Sequence, residues 1–75
     1  MKIVVYSKES CGACDLTKTW LDNNNVPYTA IDAYEDADAM AELQSHGFMS
    51  FPVVTVGSFD IAWAGFEINR LEELL

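Results

Sequence analysis

The sequence is poor in positive charge: four lysines and arginines stand against twelve aspartates and glutamates, giving a formal charge of −8 at pH 7. Such a chain repels phosphate backbones and anionic lipid, which argues against electrostatic binding to nucleic acid or to a membrane. The partner to expect is a protein with a basic or neutral docking patch. Long apolar runs are missing as well. Met1-Lys2-Ile3-Val4-Val5-Tyr6 turns polar at Ser7, too short for the apolar segment of a signal peptide or for a membrane span, so a cytoplasmic location is expected. One histidine, His46, and two cysteines are too few ligands for tetrahedral zinc. No metal is therefore expected, and His46 reads as a surface residue near a helix C-terminus. Both prolines fall between periodic segments, and no linker, repeat or low-complexity tract interrupts the chain. Seventy-five residues, 51% of them apolar, are enough for one thin core. Residues 1–75 are read as a single domain, expected to be monomeric, without room for a large cofactor cradle. Gly57 is an isolated turn residue, and no nucleotide or flavin site is visible.

What is present is a regular alternation of periodicities. Lys2 to Tyr6 predicts a short buried strand, and a polar loop, Ser7-Lys8-Glu9-Ser10, follows. From Cys11 or Gly12 to about Asn24, Ala13, Leu16, Trp20 and Leu21 recur at helical spacing, with Ser10 placed to cap. Val26 to Ile31 reads as a second strand entered through Pro27. Asp36 to about His46 predicts a second helix with Ala37, Met40, Ala41 and Leu43 on one stripe, stopped by Gly47. Val53 to Val56 and Phe59 to Trp63 read as a hairpin across Gly57-Ser58. Glu67 to Leu75 closes the chain as a short helix carrying Ile68, Leu71, Leu74 and Leu75. The order βαβ-α-ββ-α implies an α/β fold. Two parallel strands from the right-handed βαβ unit and an added antiparallel hairpin make a four-stranded mixed sheet flanked by three helices.

The two cysteines sit together as Cys11-Gly12-Ala13-Cys14, a loop too small to staple a fold by restricting the unfolded chain. At the junction between a first strand and a helix the pair reads as a redox motif. Backbone N–H groups at the helix N-terminus, with Lys8 as a nearby cation, favour the thiolate and lower the pKa of Cys11. Cys14, one turn further in and beside Asp15, is expected to be more buried and less ionised, which suits a resolving thiol. Gly12 and Ala13 add neither charge nor bulk. A pair of inert core thiols is the bland alternative.

With these residues in hand, the chain resembles the thioredoxin superfamily, and its brevity points to the glutaredoxin branch. Tyr6-Ser7-Lys8-Glu9-Ser10-Cys11-Gly12-Ala13-Cys14 is similar to the glutaredoxin active-site approach, with Lys8 three residues before the first cysteine. Ser50-Phe51-Pro52 stands where that family has a cis-proline segment. The resemblance implies a cis Phe51-Pro52 bond and a backbone that faces the dithiol to receive a substrate strand. Gly47-Phe48, Phe51-Pro52-Val53-Val54 and Trp63-Ala64-Gly65-Phe66 are similar to the NrdH-redoxin pattern, in which the tryptophan block opens the last helix. The hairpin between Pro52 and Trp63 is slightly longer than that pattern has.

The NrdH resemblance implies a dithiol-disulfide oxidoreductase with Cys11 as nucleophile and Cys14 as resolving thiol. Lys8, Gly12, Ala13, Phe51, Pro52, Trp63, Gly65 and Phe66 become candidates for binding substrate or partner. It needs no cofactor beyond the redox-active Cys11–Cys14 pair, with electrons coming ultimately from NADPH through a thioredoxin reductase-like reductase. The expected acceptor is ribonucleotide reductase or another protein disulfide. Glutathione is disfavoured as reductant: bulky Phe66 stands in the block where glutathione-using relatives receive the tripeptide. Five acidic residues from Asp32 to Glu42 would also repel an anionic peptide. Two alternatives stay open, a glutathione-dependent glutaredoxin and a non-catalytic protein-binding module on a thioredoxin-like scaffold that would use Phe51, Trp63 and Phe66. Trp63 and Phe66 could equally be core packing, and Trp20 is expected in the core.

Overall fold

Ile3, Val4 and Val5 lead β1 (Ile3–Ser7), and every residue of the strand is buried, as a central strand covered on both faces requires. The computed structural model describes residues 1–75. After β1 come α1 (Gly12–Asn23), β2 (Thr29–Asp32), α2 (Ala37–Ser45), β3 (Val53–Val56), β4 (Ser58–Ala64) and α3 (Ile68–Glu72). The sheet order is β2-β1-β3-β4, with β1 and β2 parallel and the other two pairings antiparallel. This is the four-stranded mixed sheet with three helices that the periodicities imply, in the thioredoxin-like arrangement that the resemblance implies.

Alternation along the strands divides the core in two. One cluster joins Ile3, Val5, Val54, Val56 and Trp63 to Leu21 of α1 and Leu71 of α3, with Trp20, Tyr28 and Phe66 half-buried against it. The other joins Val4, Tyr6 and Val53 to Ala39 and Leu43 of α2, with Met40, Phe48, Phe51 and Phe59 half-buried around it.

Several local expectations are corrected. Ser10 does not cap α1; it takes a left-handed φ of 55°, and Cys11 is the N-cap, its sulfur accepting the Cys14 N–H. Leu16 faces solvent, and Thr17 is buried in its stead, its hydroxyl satisfied by the Ala13 carbonyl at 2.8 Å. That local bond lets a hydroxyl replace an apolar side chain without leaving a buried polar group unpaired. On α2 the buried residues are Ala39 and Leu43, with Met40 half-buried beside them, while Ala37 and Ala41 are exposed. Asp36 caps this helix, its carboxylate accepting the Ala39 N–H at 3.0 Å. β2 begins only at Thr29. Trp63 and Ala64 finish β4 rather than opening the last helix; Gly65, at a φ of 92°, turns the chain, and α3 starts at Ile68. Only Leu71 of α3 is buried; Leu74 is half-buried, and Ile68 and Leu75 are exposed. No helix is long and apolar enough to cross a membrane.

Candidate functional site

Parallel and antiparallel pairing bring three loops to one end of the sheet. Ser7, the last residue of β1, lies beside Asp32 of β2, and Tyr6 lies opposite Val53, the first residue of β3, which itself faces Ala64 of β4. The Lys8–Cys11 loop, the Asp32–Tyr34 turn, Phe51-Pro52 and Gly65-Phe66 therefore all leave the sheet at the same end.

Cys11 and Cys14 are joined by a disulfide with the Cα atoms 5.2 Å apart. The two sulfurs are unequal in setting. Cys11 retains 8% of its surface and its Sγ accepts the Cys14 N–H at 3.1 Å, whereas Cys14 is fully enclosed. Cys11 is thus the less enclosed of the two, and its sulfur sits on the helix N-terminus, a position that favours negative charge. The other is sealed from solvent one turn inside.

Phe51-Pro52 is cis, and the Pro52 carbonyl accepts the Gly65 N–H at 2.8 Å, which ties two of the candidate segments together. The backbone groups of Met49, Ser50 and Phe51 make no hydrogen bond within the chain. Phe51 is half-buried, and the Tyr34 ring meets its ring edge-on, centroids 5.9 Å apart. Beside these rings lies an open groove of about 450 Å³ whose walls include Met40, Phe48 and Met49. Tyr34 and Met49 are 68% and 94% exposed. Neither stood out in the sequence, where both lie outside the periodic stripes; large apolar side chains in loops are the signal that could have found them.

The remaining candidates are dispersed. Lys8 is exposed and shares a shallow recess with Glu9, Asp32, Tyr34 and Glu35. Gly12 is exposed and Ala13 half-buried in the first turn of α1. Trp63 belongs to the core: it is 7% exposed, the Arg70 guanidinium lies 4.9 Å from its ring centroid, and its buried Nε1 has no hydrogen-bond partner. Phe66 packs half-buried on the same cluster. His46 is exposed at the C-cap of α2, as expected, and no group of histidine, cysteine and carboxylate side chains is spaced to hold a metal.

The glutaredoxin family model matches residues 3–61. The chain belongs to the glutaredoxin family. Within it, the glutaredoxin-like protein NrdH of Escherichia coli K12 is 34% identical over 74 residues, covering 95% of this chain and 89% of that protein. The NrdH protein of Lactococcus lactis subsp. cremoris is 31% identical over 72 residues, covering 96% and 97%. Among solved structures, the NrdH-redoxin of E. coli superposes with a TM-score of 0.93 at 29% identity, covering 100% of this chain and 96% of that one. Its published description assigns that protein a thioredoxin-like activity profile. Members of the family are thiol-disulfide oxidoreductases, and this glutaredoxin-family chain of the NrdH type is one, with the Cys11–Cys14 pair as its CxxC motif.

Proposed function

We propose that the protein is a dithiol electron carrier in which Cys11 attacks and Cys14 resolves. The observation that carries this reading is the asymmetry of the pair, one sulfur capping a helix on a residue that keeps 8% of its surface and the other fully enclosed. In the reduced protein the capping N–H groups stabilise the Cys11 thiolate. That thiolate attacks a substrate disulfide; one substrate sulfur leaves as thiolate and a mixed disulfide forms. Cys14, deprotonated, then attacks the Cys11 sulfur, the second substrate thiolate departs, and the intramolecular disulfide remains. Two electrons have passed to the substrate. Two electrons from NADPH, delivered by a thioredoxin reductase-like reductase, restore the dithiol.

The free backbone at Met49–Phe51 supports docking of an extended substrate segment beside Pro52, with the apolar groove receiving one of its side chains. Protein disulfides, ribonucleotide reductase among them, fit this mode. Glutathione fits poorly, because the carboxylates of Glu35, Asp36 and Asp38 stand on the exposed approach to α2 and oppose an anionic tripeptide.

The test follows NADPH loss with a model disulfide in two cuvettes, one containing thioredoxin reductase and the other glutathione with glutathione reductase. Turnover in the first alone supports this reading, and turnover only in the second overturns the choice of reductant. Activity in neither, with Cys11→Ser still binding a partner, would favour the non-catalytic module.

A further inference from the structure

The buried residues of α1 are Cys14, Thr17 and Leu21, all fully enclosed. Thr17 alone among them carries a hydroxyl. A carbonyl inside an α-helix already accepts the N–H four residues on, so helix formation does not need a second donor there. Core stability does not need one either, since a partnered hydroxyl and an apolar group of the same shape come out nearly even.

The contact that the hydroxyl makes gives it another use. Thr17 Oγ1 donates to the Ala13 carbonyl at 2.8 Å. That carbonyl belongs to the same peptide group as the Cys14 N–H, which donates to Cys11 Sγ at 3.1 Å. The result is one continuous chain, from hydroxyl to carbonyl, through the conjugated peptide, and from N–H to sulfur. A donor on the oxygen draws electron density away from the peptide nitrogen and leaves its hydrogen more positive. This N–H makes the single hydrogen bond that the Cys11 sulfur accepts within the chain.

We propose that Thr17 is a positioning residue for the attacking sulfur: acting through the Ala13–Cys14 peptide, its hydroxyl strengthens the N–H bond that stabilises the Cys11 thiolate. This role rests on Cys11 as the attacking thiol, the reading proposed above. In the disulfide the N–H meets a neutral sulfur, which is a weak acceptor; after reduction it meets a full negative charge, and such bonds are roughly twice as strong. The polarisation therefore favours the thiolate over both the disulfide and the protonated thiol. The charged groups nearest this end, Lys8, Glu9, Asp15, Lys18 and Asp32, keep contact with solvent and are screened by salt, whereas the Thr17 hydroxyl is enclosed. Cooperative strengthening by about 10–30% of a charge-assisted bond corresponds to about a twofold change in the thiolate fraction, or about 0.3 unit in the pH at which Cys11 ionises.

The experiment compares Thr17→Val, which keeps the shape and removes the hydroxyl, with Thr17→Ser, which keeps the hydroxyl and loses a methyl group. The reduced proteins are alkylated with iodoacetamide between about pH 5 and pH 10 in about 1 M salt, and peptide mass spectrometry assigns the label. In Thr17→Val the pH midpoint of Cys11 alkylation rises by about 0.3 unit, while Thr17→Ser keeps the original midpoint even though its urea midpoint falls. Thr17→Ala, which adds no bulk to an enclosed site, matches Thr17→Val and decides the matter if the valine does not fold. In the oxidised, ¹⁵N-labelled proteins the Cys14 amide proton moves upfield in Thr17→Val and returns in Thr17→Ser. A role in packing alone predicts the reverse order, with serine as the perturbing change. An unaltered midpoint in both hydroxyl-free variants, or a shift in Thr17→Ser equal to theirs, would overturn the proposal while leaving Cys11 as nucleophile. Label arriving first on Cys14 would overturn that reading itself and this role with it.

Discussion

On the α1/α3 side of the sheet, Leu21, Leu71, Val5 and Val54 are completely enclosed, and the large aromatic there, Trp63, is 7% exposed. On the α2 side, nine residues of helix are too few to cover the strands, and Met40, Phe48, Phe51 and Phe59 remain half-buried around open grooves. Both faces have enclosed centres, Leu43 and Val53 on the α2 side included, and half-buried edges, Trp20, Tyr28 and Phe66 among them; what sets the α2 face apart is that its half-buried side chains line open grooves at an acidic rim. In a 75-residue chain with little core to spare, that difference divides the labour. The closed face holds the sheet, the open face offers surface to partners, and the dithiol sits at the end they share.

The most severe test concerns that shared end. Cys11→Ser reduces disulfide turnover to background, whereas Cys14→Ser still attacks and traps the mixed disulfide, visible as a mass adduct. Equal behaviour of the two variants would remove the asymmetry on which the mechanism rests. Next in size, Leu21→Ala on the closed face destabilises the oxidised protein by about 3 kcal/mol, through lost burial and the cavity left behind. Met40→Ala on the open face costs about 1 kcal/mol, since its side chain is only half removed from water. Urea unfolding of both variants decides it, and equal losses would mean that the faces contribute alike. Smaller again, Met49→Ser leaves stability within about 0.5 kcal/mol because the side chain is 94% exposed. It raises KM for a protein disulfide about fivefold with kcat unchanged, the signature of lost uniform binding.

Strand order, helix count and the position of the cysteine pair were legible because each rests on a period or a spacing. Two of the errors share a physical cause: a polar group that found a local partner. Thr17 is buried because its hydroxyl bonds to Ala13, and Cys11 displaces Ser10 as cap because its own sulfur reaches the Cys14 N–H. Trp63 and Phe66 stood open between binding and core packing, and Trp63 lies in the core with Phe66 half-buried at its edge. In β4 a bulge at Phe59–Ile61 was visible only as extra length, since what the added residues cover depends on α2, which is distant in sequence.

The finest distinction between the faces is electrostatic, and it is read at alkaline pH. Each side has a tyrosine whose pKa is raised above 10.0 first by burial: Tyr6 over the α2 face, assisted by Glu42 and Asp36, and Tyr28 against the α1/α3 cluster, assisted by Asp22. A phenol held neutral in the folded state keeps its proton where the unfolded chain has already lost it, so between the two pKa values the folded state binds more protons. Stability from this source is complete below pH 10 and falls as pH rises through the folded-state values. Tyr6→Phe and Tyr28→Phe should each flatten the alkaline limb of a urea midpoint against pH profile measured between pH 9 and 11.5. The partners distinguish them: Asp22→Asn should shift the Tyr28 titration downward and leave that of Tyr6 in place, and Glu42→Gln should do the converse. If both carboxylate changes moved both tyrosines, the two sides of the sheet would be electrostatically one environment, and the division between a closed face and an open one would hold for packing alone.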